Sequence, residues 1–263
     1  FWDEADHGYG ALEQCQEAFL NSLYTGRTPW AYIITGSPQG LALYYALPGG
    51  ARNLRQWTPE LQASFPGCAP ASGPNHAELW AFLDELPHVA ALTGNPAMVP
   101  KERQPERVAA RIPQARLERV MHAMNGADWA YLVLAESIPE QVVRATIGRL
   151  AGEERETVSA YMRPGTTEAD NNPLAKRYVA LLQAARAKYE EGEQTGMWRV
   201  QTYLLAARGN ALQRGMRTLV GAYAGPTSQP QPLRVQHCER ATLNNRAALP
   251  YTNLTTSEAA QFA

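Results

Sequence analysis

Apolar residues recur along the chain with two spacings, which separate predicted strands from predicted helices. Alternating or continuous apolar runs predict strands at residues 30–35, 41–47, 88–94, 128–137, 197–206 and 233–239. Apolar residues three and four positions apart predict helices at 12–23, 77–86 and 117–124, after Pro139, between 174 and 196, and from about 210. Short strands between long helices predict an α/β (α+β) fold of layered sheets covered by helices, with two ferredoxin-like halves as one arrangement.

Local signals predict where several elements begin. Residues 36–40, GSPQG, lie between two alternating runs and predict a β-hairpin. Thr58 is predicted to cap a short helix whose first residue is Pro59, because proline is favoured at the first helical position. Asn210 is predicted to cap the helix after the strand at 197–206, with Gly209 supplying the bend.

A further helix signal lies near the end of the sequence. Thr255 and Glu258 have the spacing of a capping box, which predicts a helix that is just beginning. We expect this helix to have no core left to meet. On that expectation the natural chain continues past Ala263, and the catalytic part of the protein is missing from this sequence.

Composition shifts predict two subdomains. Residues 1–95 form an N-terminal α/β subdomain that contains the hairpin, and 114–245 form a second α/β subdomain with a long helical pair. Between them, 96–113 is a proline-rich connector. Residues 246–263 are predicted to be a linker toward a missing C-terminal domain.

Composition and charge are those of an ordinary globular protein. The 263 residues are 45% hydrophobic and 19% charged, with a net charge of −1. The three cysteines are far apart and form no CxxC pair, which favours a reducing, cytoplasmic environment over a disulfide framework. The longest apolar run, WAYLVLA, is far shorter than a membrane span, so no span is predicted.

Arginines concentrate in one part of the second half. Between 208 and 246 there are six arginines and one acidic residue, Glu239. Solvated arginines are the ordinary explanation of such a run. A nucleic-acid contact is the alternative interpretation. Its residues would be Arg208, Arg214, Arg217, Arg234 and Arg240.

No catalytic, cofactor-binding or metal residue is assigned from the sequence. The stretch RGNALQRG has the outline of a phosphate-binding turn, but GxxxxGK[ST] and GxGxxG do not occur. The serine of GSPQG stands in a hairpin loop and not at a nucleophile elbow. His76 with Glu78 has no third ligand at metal-binding spacing, and the run EERE at 153–156 is predicted to face solvent. A site assembled from scattered residues stays open, so enzymatic activity is left undecided.

Three stretches carry a resemblance to a known class of protein. They are RLERVMHAMNGADWAYLVLAESIP at 116–139, MWRVQTYLLAARGNALQRGMRTLVGAYAG at 197–225, and YTNLTTSEAA at 251–260. In the order of their elements they resemble the N-terminal region of bacterial ATP-binding proteins of the HerA/FtsK class, which includes type IV secretion ATPases.

The resemblance implies a non-catalytic accessory or assembly domain of a ring-forming motor ATPase that translocates DNA or protein. Mg-ATP would be held by a domain after residue 263, so no cofactor is expected in this segment. The implied partners are further copies of the chain or a C-terminal ATPase domain. The alternative is a stand-alone interaction or scaffold protein without enzymatic activity.

Overall fold

The computed structural model describes residues 4–49, 54–65, 76–98, 116–161, 172–225, 228, 230–244 and 249–263. Its helices are α1 (Glu4–Thr25), α2 (Leu54–Ser64), α3 (His76–Asp84), α4 (Arg116–Ala123), α5 (Glu140–Tyr161), α6 (Pro173–Thr195), α7 (Gly209–Tyr223) and α8 (Thr256–Ala260). Its strands are β1 (Trp30–Ser37), β2 (Gly40–Ala46), β3 (His88–Thr93), β4 (Trp129–Ser137), β5 (Met197–Ala206), β6 (Arg234–Cys238) and β7 (Thr252–Thr255). A 3-10 turn, Arg240–Asn244, follows β6.

The seven strands belong to one antiparallel sheet in the order β2-β1-β4-β5-β3-β6, and β7 pairs with β5 beside β3. Strand β5 is therefore central: β4 pairs along one side of it, and β3 and β7 share the other side. The sheet crosses the predicted subdomain boundary, since β1 pairs with β4 and β3 pairs with β5. The two predicted halves thus contribute to a single sheet and do not form two layered sheets. The connector at 96–113 lies almost entirely outside the described residues.

Both faces of the sheet are buried, because alternate side chains of the central strands enter two different cores. On one face Trp129, Tyr131 and Val133 of β4 pack with apolar residues of α1, α4, α7 and α8, and we call this the main core. On the other face Leu132 packs in a smaller core with Leu83 of α3. This double burial explains why β4 is a continuous apolar run and not a polar–apolar alternation.

Helices α5 and α6 form a long antiparallel hairpin between the neighbouring strands β4 and β5. A small cluster of Ile138, Val143 and Met197 packs its base against the sheet. Farther from the base, Arg186 of α6 pairs with Glu154 of α5 at 2.5 Å. The charged run at 153–156 therefore does not simply face solvent as predicted, since Glu154 is only 14% exposed and joins the two helices.

The mixed α/β fold class and the positions of the predicted strands are confirmed. Two helix starts are corrected. Helix α2 begins at Leu54, so Thr58 and Pro59 lie inside it; the earlier start places Trp57 and Leu61, four residues apart, on the side that meets the main core. The N-cap of α7 is Arg208, with no side-chain cap bond, and Asn210 instead accepts a hydrogen bond from the N–H of Ala211.

The C-terminal residues also differ from the prediction. Strand β7 was not predicted, and the capping box of α8 is confirmed by hydrogen bonds in both directions between Thr255 and Glu258. The expectation that this helix meets no core is wrong. Ala259, Ala260 and Phe262 are buried in the main core, and the Tyr131 hydroxyl donates a hydrogen bond to the carbonyl of Phe262 at 2.9 Å.

Candidate protein-docking edge

Strand β2 is one edge of the sheet. Among the described residues it pairs on one side only, with β1, so every second residue directs its N–H and C=O toward an open edge. Its sequence, GLALYYA, contains no charged residue and no proline. Natural proteins usually protect such an edge with lysine, proline or a bulge, because unpaired backbone groups are a template for another strand. The other edge, β6, carries Arg234.

Two large apolar side chains of β2 are exposed. Leu41 is 50% exposed and Leu43 is 53% exposed. They lie on the same face of the strand as Tyr45, whose ring packs edge-on against Phe19 of α1 at 5.3 Å. The main core therefore covers one end of this face of β2 and leaves both leucines half exposed to solvent. Apolar exposure beside an open edge is typical of an interaction site.

Open cavities lie on both faces beside the β1–β2 turn. One, of about 250 Å³, is lined on the main-core face by Leu41, Met121, Met124 and Trp129. The other, of about 380 Å³, is lined on the opposite face by Tyr44, Glu78, Leu79 and Phe82. Successive side chains of an added strand would point alternately to these two faces. Backbone pairing with side-chain contacts on alternate faces is how β-strand addition recognises a partner.

The turn motif GSPQG contributes to this edge in a structural way. The hairpin is confirmed, and its turn is Pro38-Gln39, shorter than the five-residue loop predicted. The Ser37 hydroxyl accepts a hydrogen bond from the N–H of Gln39 at 3.2 Å. The serine thus stabilises the turn, and Ser37 and Gln39 line both cavities.

The structure does not gather the predicted arginines on one surface. Arg208, Arg214 and Arg217 are exposed at the start or on the outer side of α7, which covers the main-core face. Arg234 pairs with Thr93 of β3, and this pair lies on the sheet face that carries the smaller core. Arg240 pairs with Asp84 of α3 at 2.7 Å. A nucleic-acid contact by all five at once would need to reach both sides of the sheet, and it stays a prediction.

His122 of α4 faces solvent. The His122 side chain is 67% exposed and lies 3.7 Å from Glu118, one turn earlier on α4. In the described part of the chain no three His, Cys, Asp or Glu residues form a group that could hold a metal ion. No described helix is long and apolar enough to cross a membrane.

A buried polar cluster that the sequence did not reveal joins α6 to the C-terminal residues. The Lys188 ammonium lies 2.9 Å from a Glu258 carboxylate oxygen, and the two side chains are only 11% and 13% exposed. Lys188 also donates a hydrogen bond to Asn95 at 2.6 Å. Burial lowers the pKa of Lys188 and raises the pKa of Glu258, and their mutual attraction opposes both shifts.

This cluster acts as a tie between elements. It links α6, the residues after β3 and the start of α8, and neither of the two cavities beside the β1–β2 turn reaches it. Lys188 and Glu258 lie 70 positions apart on different helices with no shared motif, so no pattern in the sequence could have paired them.

No family model matches the chain. A search of curated proteins finds no significant match either. The resemblance to the HerA/FtsK class therefore stays a prediction.

Proposed function

We propose that this chain is a non-catalytic assembly domain that joins protein subunits through the open edge of β2. The observation that carries the proposal is the combination at that edge: an uncharged strand that pairs on one side only among the described residues, and two half-exposed leucines. The strand offers backbone hydrogen bonds and the leucines offer side-chain contacts to the same added strand.

We propose that the domain lies in the cytoplasm and is the N-terminal accessory region of a ring-forming motor ATPase that translocates DNA or protein. The support is the resemblance of three stretches of sequence to the HerA/FtsK class. In this setting Mg-ATP is bound by a domain located after residue 263. The assembly role would be the same in a stand-alone scaffold, so the two settings differ only in whether a motor domain is attached.

The reading frame beyond codon 263 tests the setting directly. We expect a GxxxxGK[ST] motif after a predicted strand. A stop codon, or a downstream sequence without that motif, would overturn the motor setting.

Truncation tests the assembly role in the full protein. We expect a chain that begins after residue 263 to bind Mg-ATP as tightly as the full chain but to form smaller assemblies in native mass spectrometry. Assemblies of unchanged size after the truncation would overturn the assembly role.

A further inference from the structure

We infer that β2 pairs antiparallel with β2 of a second copy, about a two-fold axis that passes through Leu43. The inference rests on the proposed assembly role and names its partner. Such a contact is isologous, because the same strand contributes both halves, so it joins subunits in pairs, and a ring would need a second contact between the pairs. The product is a sheet that runs continuously through both subunits.

The residues of β2 complement one another in this register. On one face Leu43 meets Leu43 of the second copy, and Leu41 meets the second copy's Tyr45. On the other face the small Ala42 meets the large Tyr44, and the same pairing recurs by symmetry on the far side of the axis. The pairing places no like charges opposite each other, since the strand is uncharged.

The exposures favour a second copy at this register. Leu41 and Leu43 are about half exposed, so each has apolar surface that a neighbouring strand can cover. In the two-fold pairing the two Leu43 side chains lie at the centre of one face, and one Leu41 side chain lies on each side of them. Burial of apolar side chains at the centre, with backbone pairing around it, is the arrangement expected of a specific interface.

The other edge strand is a weaker candidate for the partner strand. Strand β6 has five residues, and Arg234, Gln236 and His237 are exposed polar side chains that need no cover. Pairing of β2 with β6 of the next copy would be head-to-tail and would lead to rings or filaments, so the size of the assembly distinguishes it from the two-fold contact.

We expect the contact to be reversible. An interface built around one seven-residue strand from each copy lies at the low end of interface sizes, below about 1,200 Å². A dissociation constant in the micromolar range is the expected outcome, on the order of 10 μM.

Sedimentation velocity of the 263-residue chain across concentrations that span this range is the first measurement. We expect a monomer–dimer equilibrium in the wild type and a monomer at all concentrations in Leu43→Lys, because the two lysines would face each other across the axis. Val142→Lys is the matched control: Val142 is 52% exposed on α5, and its substitution should leave the dimer unchanged. Circular dichroism checks that both variants remain folded.

Disulfide trapping tests the register itself. In a background with Cys15, Cys68 and Cys238 replaced by serine, Leu43→Cys should form a covalent dimer under mild oxidation. Leu41→Cys should not, because in this register the two Leu41 positions are four residues out of step, roughly 13 Å apart.

Four outcomes would overturn the inference. A monomeric wild type would assign the open edge to a strand of another protein. A dimer that survives Leu43→Lys, or equal trapping at both cysteine positions, would place the contact elsewhere or in another register. Polymers that Leu43→Lys dissolves would indicate head-to-tail pairing. None of these outcomes changes the expected reading-frame and truncation results, so the motor setting and the assembly role can fail or stand separately from the β2–β2 contact.

Discussion

Replacement of Gly36 by alanine should destabilise the protein far more than the addition of one methyl group suggests. Gly36 of β1 stands directly opposite Trp129 of β4 in the sheet. A Cβ at this position would lie 2.1 Å from Nε1, 2.5 Å from Cε2 and 2.9 Å from Cδ1 of the indole. Carbon atoms in contact are separated by about 3.5–4.0 Å, so the ring would have to move by more than about 1 Å.

The cost depends on where the indole lies. Trp129 is 1% exposed and among the largest buried side chains, so it cannot swing into solvent and must displace its neighbours in the main core. Overpacking of this kind costs typically about 1–3 kcal/mol, and we expect Gly36→Ala to fall at the upper end, at about 3 kcal/mol. In a chain of this size that loss lowers Tm by roughly 6–12 °C.

Urea unfolding followed by circular dichroism measures the effect, with Gly148→Ala as the matched control. A Cβ on Gly148 of α5 meets nothing within 4 Å, so the same chemical change there should stabilise the protein by about 0.5–1 kcal/mol through helix propensity. In a double-mutant cycle, Trp129→Phe should relieve part of the cost of Gly36→Ala, because the smaller ring leaves room for the new methyl group. A Gly36→Ala variant within about 0.5 kcal/mol of the wild type would refute the packing argument.

Three further predictions concern the buried polar contacts of the C-terminal residues. The double variant Lys188→Met with Glu258→Gln should be as stable at pH 7 as the wild type or up to about 2 kcal/mol more stable, because burial of both charges offsets their attraction. Because burial raises the folded-state pKa of Glu258, protonation of this side chain stabilises the folded protein fully below pH 4.5, and this stabilisation is lost as the pH rises through the raised pKa. Unfolding free energies at pH 5 and pH 7 should show this loss in the wild type and not in the double variant. Tyr131→Phe should cost about 1–2 kcal/mol in urea unfolding, because the buried carbonyl of Phe262 loses its donor; an unchanged midpoint would contradict the contact. Thr255→Val should cost about 1 kcal/mol through loss of the helix cap while Thr255→Ser stays near the wild type, and equal losses in the two variants would point to packing instead.

The sequence predicts the elements of this fold well where apolar spacing is regular. The run at 129–135 is apolar throughout because both faces of β4 are buried, and such a run can only be a central strand or a buried helix. Helix α7 is equally legible, since its buried residues recur three and four positions apart. The apolar run of β4 and the apolar spacing of α7 are patterns among residues close together in the chain, so one sequence is enough to show them.

Features that depend on distant partners were not predictable. Strand β7 is four residues long and has one apolar residue, Leu254, so no alternating apolar run indicates a strand. It is a strand because the first four residues of β5 have an open side there, beyond the end of β3. The pairing of Lys188 with Glu258 likewise depends on how α6 and α8 cross, which no local pattern encodes.

The candidate edge also depends on distant parts of the chain and was not predictable from the sequence. In the sequence, Leu41 and Leu43 look like core residues, because an alternating strand with an apolar face is predicted to bury that face. Strand order alone decides otherwise: β2 lies beyond β1 at the end of the sheet, where the helices of the main core reach Tyr45 but not the leucines. Apolar residues retained at an unprotected edge cost solubility unless something covers them. The contrast with β6, whose exposed side chains are mostly polar, therefore makes β2 the edge at which a partner strand is to be sought.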